Sequence, residues 1–339
     1  MNIIAIESSC DETACAVVKD GVKEICSVVA SSKELHEKTG GIVPEVAARK
    51  QVEFIIPVIQ ETLTRFKESS SGEIDVVAVT VGPGLTGSLV VGIEAAKALA
   101  LAWKKPIIPV NHLVGHIYAN FIDNEKEVIF PAVALLVSGG HTDLIYFKDH
   151  SQFEYLGGTL DDAAGEAFDK TARLLGLAKY LGAVELSKKA SECTINLAMG
   201  KLPRPMIHDD NFDFSFSGLK TAVRRMVEEK EYPIDSIACE FEAAAVDVLV
   251  VKTIRAAKKL NAKSILVGGG VAANRQLRSR LQLEAEKLGV GFHVPPIRLC
   301  TDNAICIGSA AYFVGRQNME NYSFDKITAN PSLGIMDQI

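Results

Sequence analysis

The sequence predicts an α/β protein made of two related halves. Three observations carry that expectation. Apolar, strand-like runs alternate with helical patterns along most of the chain. Its 339 residues leave room for two domains with cores of their own. One strand–turn–strand unit also recurs at an offset of about 130 residues, the mark of an internal duplication.

The first copy of that unit is the apolar run Ile3–Glu7, the small polar turn Ser8-Ser9-Cys10-Asp11-Glu12-Thr13, and a second strand from Ala14 to Lys19. A third strand is predicted from Val22 to Ala30. Pro44 opens a long helix running to about Phe66, at the position where proline fits a helix best. Val46, Phe54, Ile55, Val58, Ile59 and Leu63 fall at helical spacing within it. Asp75–Val81 reads as a buried strand, Ser88–Trp103 as a helix and Ile107–Val110 as another strand. The second copy of the unit is the strand Pro131–Val137, the turn Ser138-Gly139-Gly140-His141-Thr142 and the strand Asp143–Lys148. Helices are expected over 162–175, 184–193, 217–229, 236–260 and 272–288, and 201–214 reads as a polar loop. Ser264–Val267 is a strand. Thr301 is the expected N-cap of a final helix to about Val314, with Asp302 in its first turn.

Composition narrows the possibilities. A hydrophobic content of 48% and a charged content of 23% are ordinary for a globular chain. A net charge of -6 argues against bulk nucleic-acid binding and leaves room for a local basic patch. The basic groups in question are Lys104-Lys105, Lys188-Lys189, Arg224-Arg225 and the set Arg275, Arg278 and Arg280. Seven cysteines in no disulfide or zinc-knuckle spacing, a start directly in a strand pattern and no apolar run of membrane-spanning length together predict a reduced, cytoplasmic protein with no membrane contact.

The segment Asn111-His112-Leu113-Val114-Gly115-His116 places two imidazoles four residues apart, on one face if the segment is helical. Two imidazoles and a carboxylate would hold a metal and leave positions open for substrate oxygens. Asp302 is the expected third ligand. Leu113 stands where a zinc protease of the H-E-x-x-H type needs its glutamate base, which argues against peptide hydrolysis by that route. Three turns, at 7–13, 137–142 and 267–271, follow apolar strands and expose consecutive backbone N–H groups, as phosphate sites do. Together they point to a nucleotide in a cleft between lobes. No G-x-x-x-x-G-K-[ST] loop is present, and no G-x-G-x-x-G opens the first helix, which argues against a P-loop NTPase and a dinucleotide fold. The carboxylate pairs Asp161-Asp162 and Asp209-Asp210 read as loop solvation and helix capping.

These segments resemble a family, the universal tRNA threonylcarbamoyladenosine transferases, called TsaD in bacteria and once labelled O-sialoglycoprotein endopeptidases. The resemblance rests on Glu7–Thr13, Gly40–Glu45, Gly82–Leu89, the two histidines, Val137–Thr142, Asp161–Lys170, Phe214–Thr221 and Gly268–Asn274. It implies the two-lobed actin/Hsp70/sugar-kinase fold with duplicated mixed sheets. The corresponding division is an N-terminal lobe with partner-binding helices at 1–108, a lobe with the metal and nucleotide site at 109–325 and a tail at 326–339. The family implies one divalent metal per subunit at His112, His116 and Asp302, usually Fe2+, with Zn2+ also seen. Adenylate-binding residues carry over to Leu136, Val137, Ser138, Gly139, Gly140, Asp169, Gly182 and Asn274. The implied reaction moves a threonylcarbamoyl group from L-threonylcarbamoyl-AMP to N6 of adenosine 37 in tRNAs reading ANN codons and releases AMP. TsaB, held through N-terminal lobe helices, and TsaE are the implied partners.

Within that reading, backbone N–H groups of Ser138–Gly140 would bind the departing phosphate. Asp11 and Glu12 would handle protons near the acceptor. The chain departs from the family pattern at Gln51, where many members have His, at Leu181-Gly182-Ala183 in place of Gly-Gly-Pro, and at Glu242 in place of Gln. A kinase or ATPase on the same fold and a non-catalytic scaffold remain alternatives, since fold analogy does not separate them.

Overall fold

A computed structural model describes residues 1–124, 126–150, 152–193, 201–337 and 339. The chain divides into two compact units, Met1–Glu127 with Arg298–Ile339, and Val128–Ile297.

In the first unit β1 (Asn2–Glu7), β2 (Glu12–Lys19) and β3 (Lys23–Ser31) form an antiparallel meander. The helices α1 (Lys33–Thr39) and α2 (Pro44–Ser69) follow. Next come β4 (Val76–Gly82), α3 (Thr86–Trp103), β5 (Ile107–Asn111) and α4 (His112–Tyr118). β4 and β5 join β1 in parallel, giving the order β3-β2-β1-β4-β5. Successive strand residues face opposite sides. Ile4 and Ile6 share a core with Ile55, Val58 and Ile59 of α2 and Leu89 and Ile93 of α3. The chain's last helix, α10 (Ala304–Phe313), packs on the other face. Contact there is close: a Cβ on Gly308 would lie 2.8 Å from Val18 Cγ2.

The second unit repeats the plan. β6 (Ala132–Val137), β7 (Thr142–Phe147) and β8 (Phe153–Gly158) form the meander. The helices α5 (Ala164–Leu174), α6 (Ala183–Ser191), α7 (Ser217–Glu229) and α8 (Ile234–Lys259) precede β9 (Ser264–Gly268). α9 (Arg275–Leu288) leads to β10 (Gly291–His293). β9 lies parallel to β6 and β10 parallel to β9, so the order β8-β7-β6-β9-β10 matches the first sheet strand for strand.

Several expectations are corrected. The boundary expected at 108/109 falls inside the first unit, because β5 pairs with β4 and α4 packs on α10. The chain returns to that unit at Arg298 rather than at residue 326. The final helix is capped by Asn303, whose Oδ1 accepts the Cys306 N–H at 3.1 Å, so Asp302 precedes the helix. Residues 270–273 form a 3-10 turn, and α9 starts only at Arg275. The α3 helix, 18 residues with a mean hydropathy of 1.3, is long and apolar enough to cross a bilayer by length and composition. Its Val, Ile, Leu and Ala residues raise hydropathy, yet Leu89, Ile93, Ala96 and Ala100 are buried against the sheet and α2.

The buried Gln51 of α2 ties down the β1–β2 turn. Its Oε1 accepts from Thr13 Oγ1 at 2.5 Å, and its Nε2 donates to the carbonyls of Cys10 at 3.1 Å and Glu12 at 2.7 Å. Gln51→Ala leaves these buried groups without partners, so urea unfolding should show a loss of about 1–3 kcal/mol.

Candidate functional site

The first unit brings together the histidines and the distant aspartate. α4 starts directly after β5, and Asn111 caps it by accepting the Leu113 N–H at 2.9 Å. Its Nδ2 donates to the Gly334 carbonyl at 2.8 Å, which ties the cap to the C-terminal segment. The two rings share one face, with centroids 4.5 Å apart and planes at 72°. Gly115 lies where α4 meets α10, and a Cβ there would lie 2.7 Å from Ile307 Cδ1. A glycine within this helix therefore serves close packing on α10, and that packing carries the histidines to Asp302.

Asp302 Oδ1 lies 3.5 Å from His112 Nε2 and 3.4 Å from His116 Nε2. Two ligands each about 2.1 Å from a tetrahedral centre sit about 3.4 Å apart, so these separations suit one ion in contact with all three. The three ligand atoms lie within 4.8 Å of one another, and the group could hold a metal ion. Burial disfavours the His112 imidazolium, but the charges of Glu7 and Asp302 outweigh it and lift the ring to about 9. Burial acts to raise Asp302, and His112 and His116 overcome it and hold the carboxyl down to about 2. Ion binding would replace the imidazolium proton.

Sequence reasoning missed Glu7. At the end of β1 it is 1% exposed, and its Oε2 lies 2.9 Å from His112 Nδ1. Thr80 Oγ1 donates to Oε2 at 2.6 Å and the Ser9 N–H to Oε1 at 2.5 Å. Burial pushes its carboxyl up, but His112 outweighs it and keeps Glu7 lowered. A proton on Nδ1, donated to Glu7, leaves the Nε2 lone pair for a ligand bond. The available signal was a charged residue closing an otherwise apolar strand.

Asp11 and Glu12 follow in the same turn. Burial, then the hydrogen bond with Asp11, raises the Glu12 carboxyl to about 9. Burial and the nearby carboxylates Asp11, Asp302 and Glu12 also raise the Cys10 thiol, which keeps it protonated.

The second unit joins the other two turns. Gly269 has φ +92, and a Cβ there would lie 2.5 Å from the Val137 carbonyl oxygen, so only glycine fits. The Gly165 N–H donates to the Ser138 carbonyl at 3.1 Å. The Ser138 N–H is taken by the His141 carbonyl at 2.8 Å, contrary to the expectation that all three N–H groups of Ser138–Gly140 face a phosphate. Those of Gly139 and Gly140 donate to no group among the described residues. Asp169 Oδ1 accepts the Ala183 N–H at 2.9 Å just after Gly182, a bond that a proline at 183 could not make. Leu181 has φ +46, a conformation that glycine takes without strain. Asn274 Oδ1 caps α9 through the Leu277 N–H at 2.8 Å, and its Nδ2 donates to Glu242 at 2.6 Å and Ser187 at 3.1 Å. Leu136 and Val137 end β6. Asp161 is exposed, as expected of a loop carboxylate, and it caps a helix distant in sequence. Its carboxylate accepts from Ser215 Oγ at 2.5 Å, Ser217 Oγ at 2.7 Å and the Phe216 N–H at 2.8 Å, fixing the start of α7.

Two mixed sheets of one strand order, each flanked by helices, define the actin/Hsp70/sugar-kinase class, here with a cluster able to hold a metal ion. Among solved structures, HypF from T. kodakarensis is similar over 91% of this chain and 47% of its own, with a TM-score of 0.64 and 15% identity. Component A of the Acidaminococcus fermentans (R)-2-hydroxyglutaryl-CoA dehydratase is similar over 92% of this chain and 98% of its own, with a TM-score of 0.51 and 18% identity. These likenesses show the fold. The family described as TsaD, tRNA N6-adenosine threonylcarbamoyltransferase, matches residues 23–309. A Clostridium botulinum (strain 657 / Type Ba4) protein of that name is 50% identical over 318 residues, 92% of each chain. The Bacillus subtilis (strain 168) protein of that name is 47% identical, over 91% of this chain and 89% of its own. The chain belongs to the TsaD family of transferases.

Asp162 lies between Lys170 at 2.6 Å and Lys220 at 2.7 Å. Burial raises its carboxyl, but the hydrogen bonds from both lysines outweigh this and leave it lowered. A depressed folded value stabilises the fold above the unfolded value of about 3.9, and the gain is lost as pH falls through the folded one. Urea unfolding of Asp162→Asn between about pH 5 and pH 2 should show a shallower acid loss of stability than the parent, which retains this titration.

Proposed function

We propose that the protein transfers a threonylcarbamoyl group from L-threonylcarbamoyl-AMP to N6 of adenosine 37 in tRNAs reading ANN codons, releasing AMP. The observation that carries this reading is the His112, His116 and Asp302 cluster, within 4.8 Å, in a chain 50% identical to a protein named for the transfer.

The N6 amine is a weak nucleophile because its lone pair is delocalised into the purine ring. The acyl carbon must therefore be polarised and the leaving phosphate stabilised. His112, His116 and Asp302 would hold one divalent ion, Fe2+ in this reading with Zn2+ as the alternative, which supplies Lewis acidity toward a substrate oxygen. Glu7 holds the His112 ring in the orientation and tautomer that present Nε2. The N–H groups of Gly139 and Gly140 take the charge of the phosphate that leaves with AMP. Leu136, Val137, Ser138, Asp169, Gly182 and Asn274 complete adenylate binding, with the second oxygen of Asp169 facing ribose hydroxyls. Attack by N6 forms the carbamoyl N–C bond, breaks the C–O bond to the phosphate and releases one proton from N6. Asp11 accepts that proton. Glu12, raised to about 9 and protonated near neutral pH, is hydrogen-bonded to it.

TsaB pairs through the N-terminal lobe helices around α2 in this reading, and TsaE completes the system. Val52 and Ile56, one turn apart on α2 and both more than half exposed, support an apolar partner surface there. Seven free cysteines support a reducing, cytoplasmic setting.

The test incubates the protein with its partners, threonylcarbamoyl-AMP and unmodified tRNA and measures the modified nucleoside by mass spectrometry. Product is expected from the parent. His112→Ala and His116→Ala should abolish it while circular dichroism shows an intact fold; full turnover in either variant refutes the metal role. Glu7→Gln keeps the shape of the side chain and loses its charge. Chelator competition should then show metal affinity weakened by about 10–100-fold.

A further inference from the structure

The family's substrate is a polyanion, yet this chain carries a net charge of -6. RNA must therefore meet a local positive surface. Four of the nine basic residues singled out in the sequence are engaged elsewhere. Arg278 donates to the carbonyls of Ala272 at 2.5 Å and Pro295 at 2.6 Å. Arg280 pairs with Asp247 at 2.5 Å, Lys189 with Glu192 at 2.9 Å and Lys105 with Glu73 at 3.8 Å.

Arg224 differs. Within the second unit it lines a cavity of about 300 Å³ together with Lys170, Arg173, Leu174 and Lys220. The walls are α5 and α7, which pack against each other. Lys170 and Leu174 lie one turn apart on α5, as do Lys220 and Arg224 on α7, so each helix presents a single face to the cavity. Asp162 holds both ammonium groups, at 2.6 Å and 2.7 Å, and Glu166 also holds Lys170, at 2.8 Å. Four cationic groups thus meet three carboxylates, Asp162, Glu166 and Asp169, the last attracted by Arg173, and the cluster stays net positive. Arg173 and Arg224 are exposed and make no ion pair among the described residues. The planar fork of a guanidinium matches two phosphate oxygens at once.

We propose that the α5/α7 cavity binds phosphodiester groups of the RNA substrate, with Arg173 and Arg224 as the clamping side chains and Asp162 holding Lys170 and Lys220 in place beside them. The proposal rests on the tRNA reading above. It adds a contact surface on α5 and α7 that adjoins Asp169, one turn from Arg173 along α5, and is distinct from the histidines.

The test compares the full-length parent, the double variant Arg173→Ala/Arg224→Ala and the charge-keeping Arg173→Lys/Arg224→Lys. Labelled unmodified tRNA is titrated at several salt concentrations, with AMP binding followed in parallel by calorimetry and folding by circular dichroism. The alanine pair should weaken tRNA binding about tenfold or more at low salt and lower the slope of log K against log salt by about two, one per side chain. The lysine pair should keep most of that slope. Unchanged tRNA affinity and slope in a folded alanine variant overturn the proposal, and so does a parent that binds no tRNA. Lost AMP binding with intact tRNA binding also overturns it and makes the cavity a nucleotide subsite. A parent that binds tRNA through this cavity but forms no modified nucleoside upholds the proposal and refutes the reaction instead.

Discussion

The bond between Glu7 and His112 is the interaction on which the first unit's site depends. A carboxylate that is 1% exposed is costly to bury unless its oxygens are satisfied. Here Thr80, the Ser9 N–H and the His112 ring satisfy them. The three partners come from β4, the β1–β2 turn and the first residue of α4, so one side chain sets the spacing of three elements. Removing it would leave the ring next to Asp302 with only Ser9 Oγ, at 3.4 Å, against Nδ1. The electrostatics of the histidine, the aspartate and Glu7 are therefore a single balance.

The duplication explains why two kinds of chemistry arise from one plan. β1 and β6 occupy the same place in their sheets and each runs six residues into a small polar turn. The last residue of β1 is Glu7 and the last of β6 is Val137. The first copy carries a charge that bears on imidazoles. The second ends in glycines whose backbone N–H groups are open, braced by Gly165 and Gly269.

Much of this was legible in the sequence. The buried strands announce themselves because both faces of each sheet are covered, which leaves continuous apolar runs. The four-residue histidine spacing and the carboxylate of Asp302 also stood out. What escaped was short or half-exposed. β8 has a mixed burial pattern, β10 has three residues and α1 is mostly polar, so none shows a clear period. Asn303 rather than Thr301 caps α10, since both residue types cap well and only the backbone decides. The boundary at 108/109 failed because α4 opens what looks like a new segment, while its packing partner lies almost two hundred residues further on. Glu7 left only the sign of a charge closing an apolar strand, and the contacts of Gln51, Asp161 and Asp162 join residues far apart in sequence, which no local pattern encodes. The departures at Leu181 and Ala183 were visible as residues, but their consequence, an N–H donated to Asp169, needed the backbone path.

The first unit is discontinuous and the second is not. A ribosome therefore makes the whole of Val128–Ile297 before Asp302, α10 or the segment whose Gly334 carbonyl steadies the cap of α4. The later-encoded unit can fold while synthesis continues, whereas the earlier one must wait with β1 exposed on the side that α10 will cover. Assembly of the triad thus waits for residues encoded after the second unit. A nascent chain stalled before residue 302 would possess both imidazoles and no means of closing the cage around a cation.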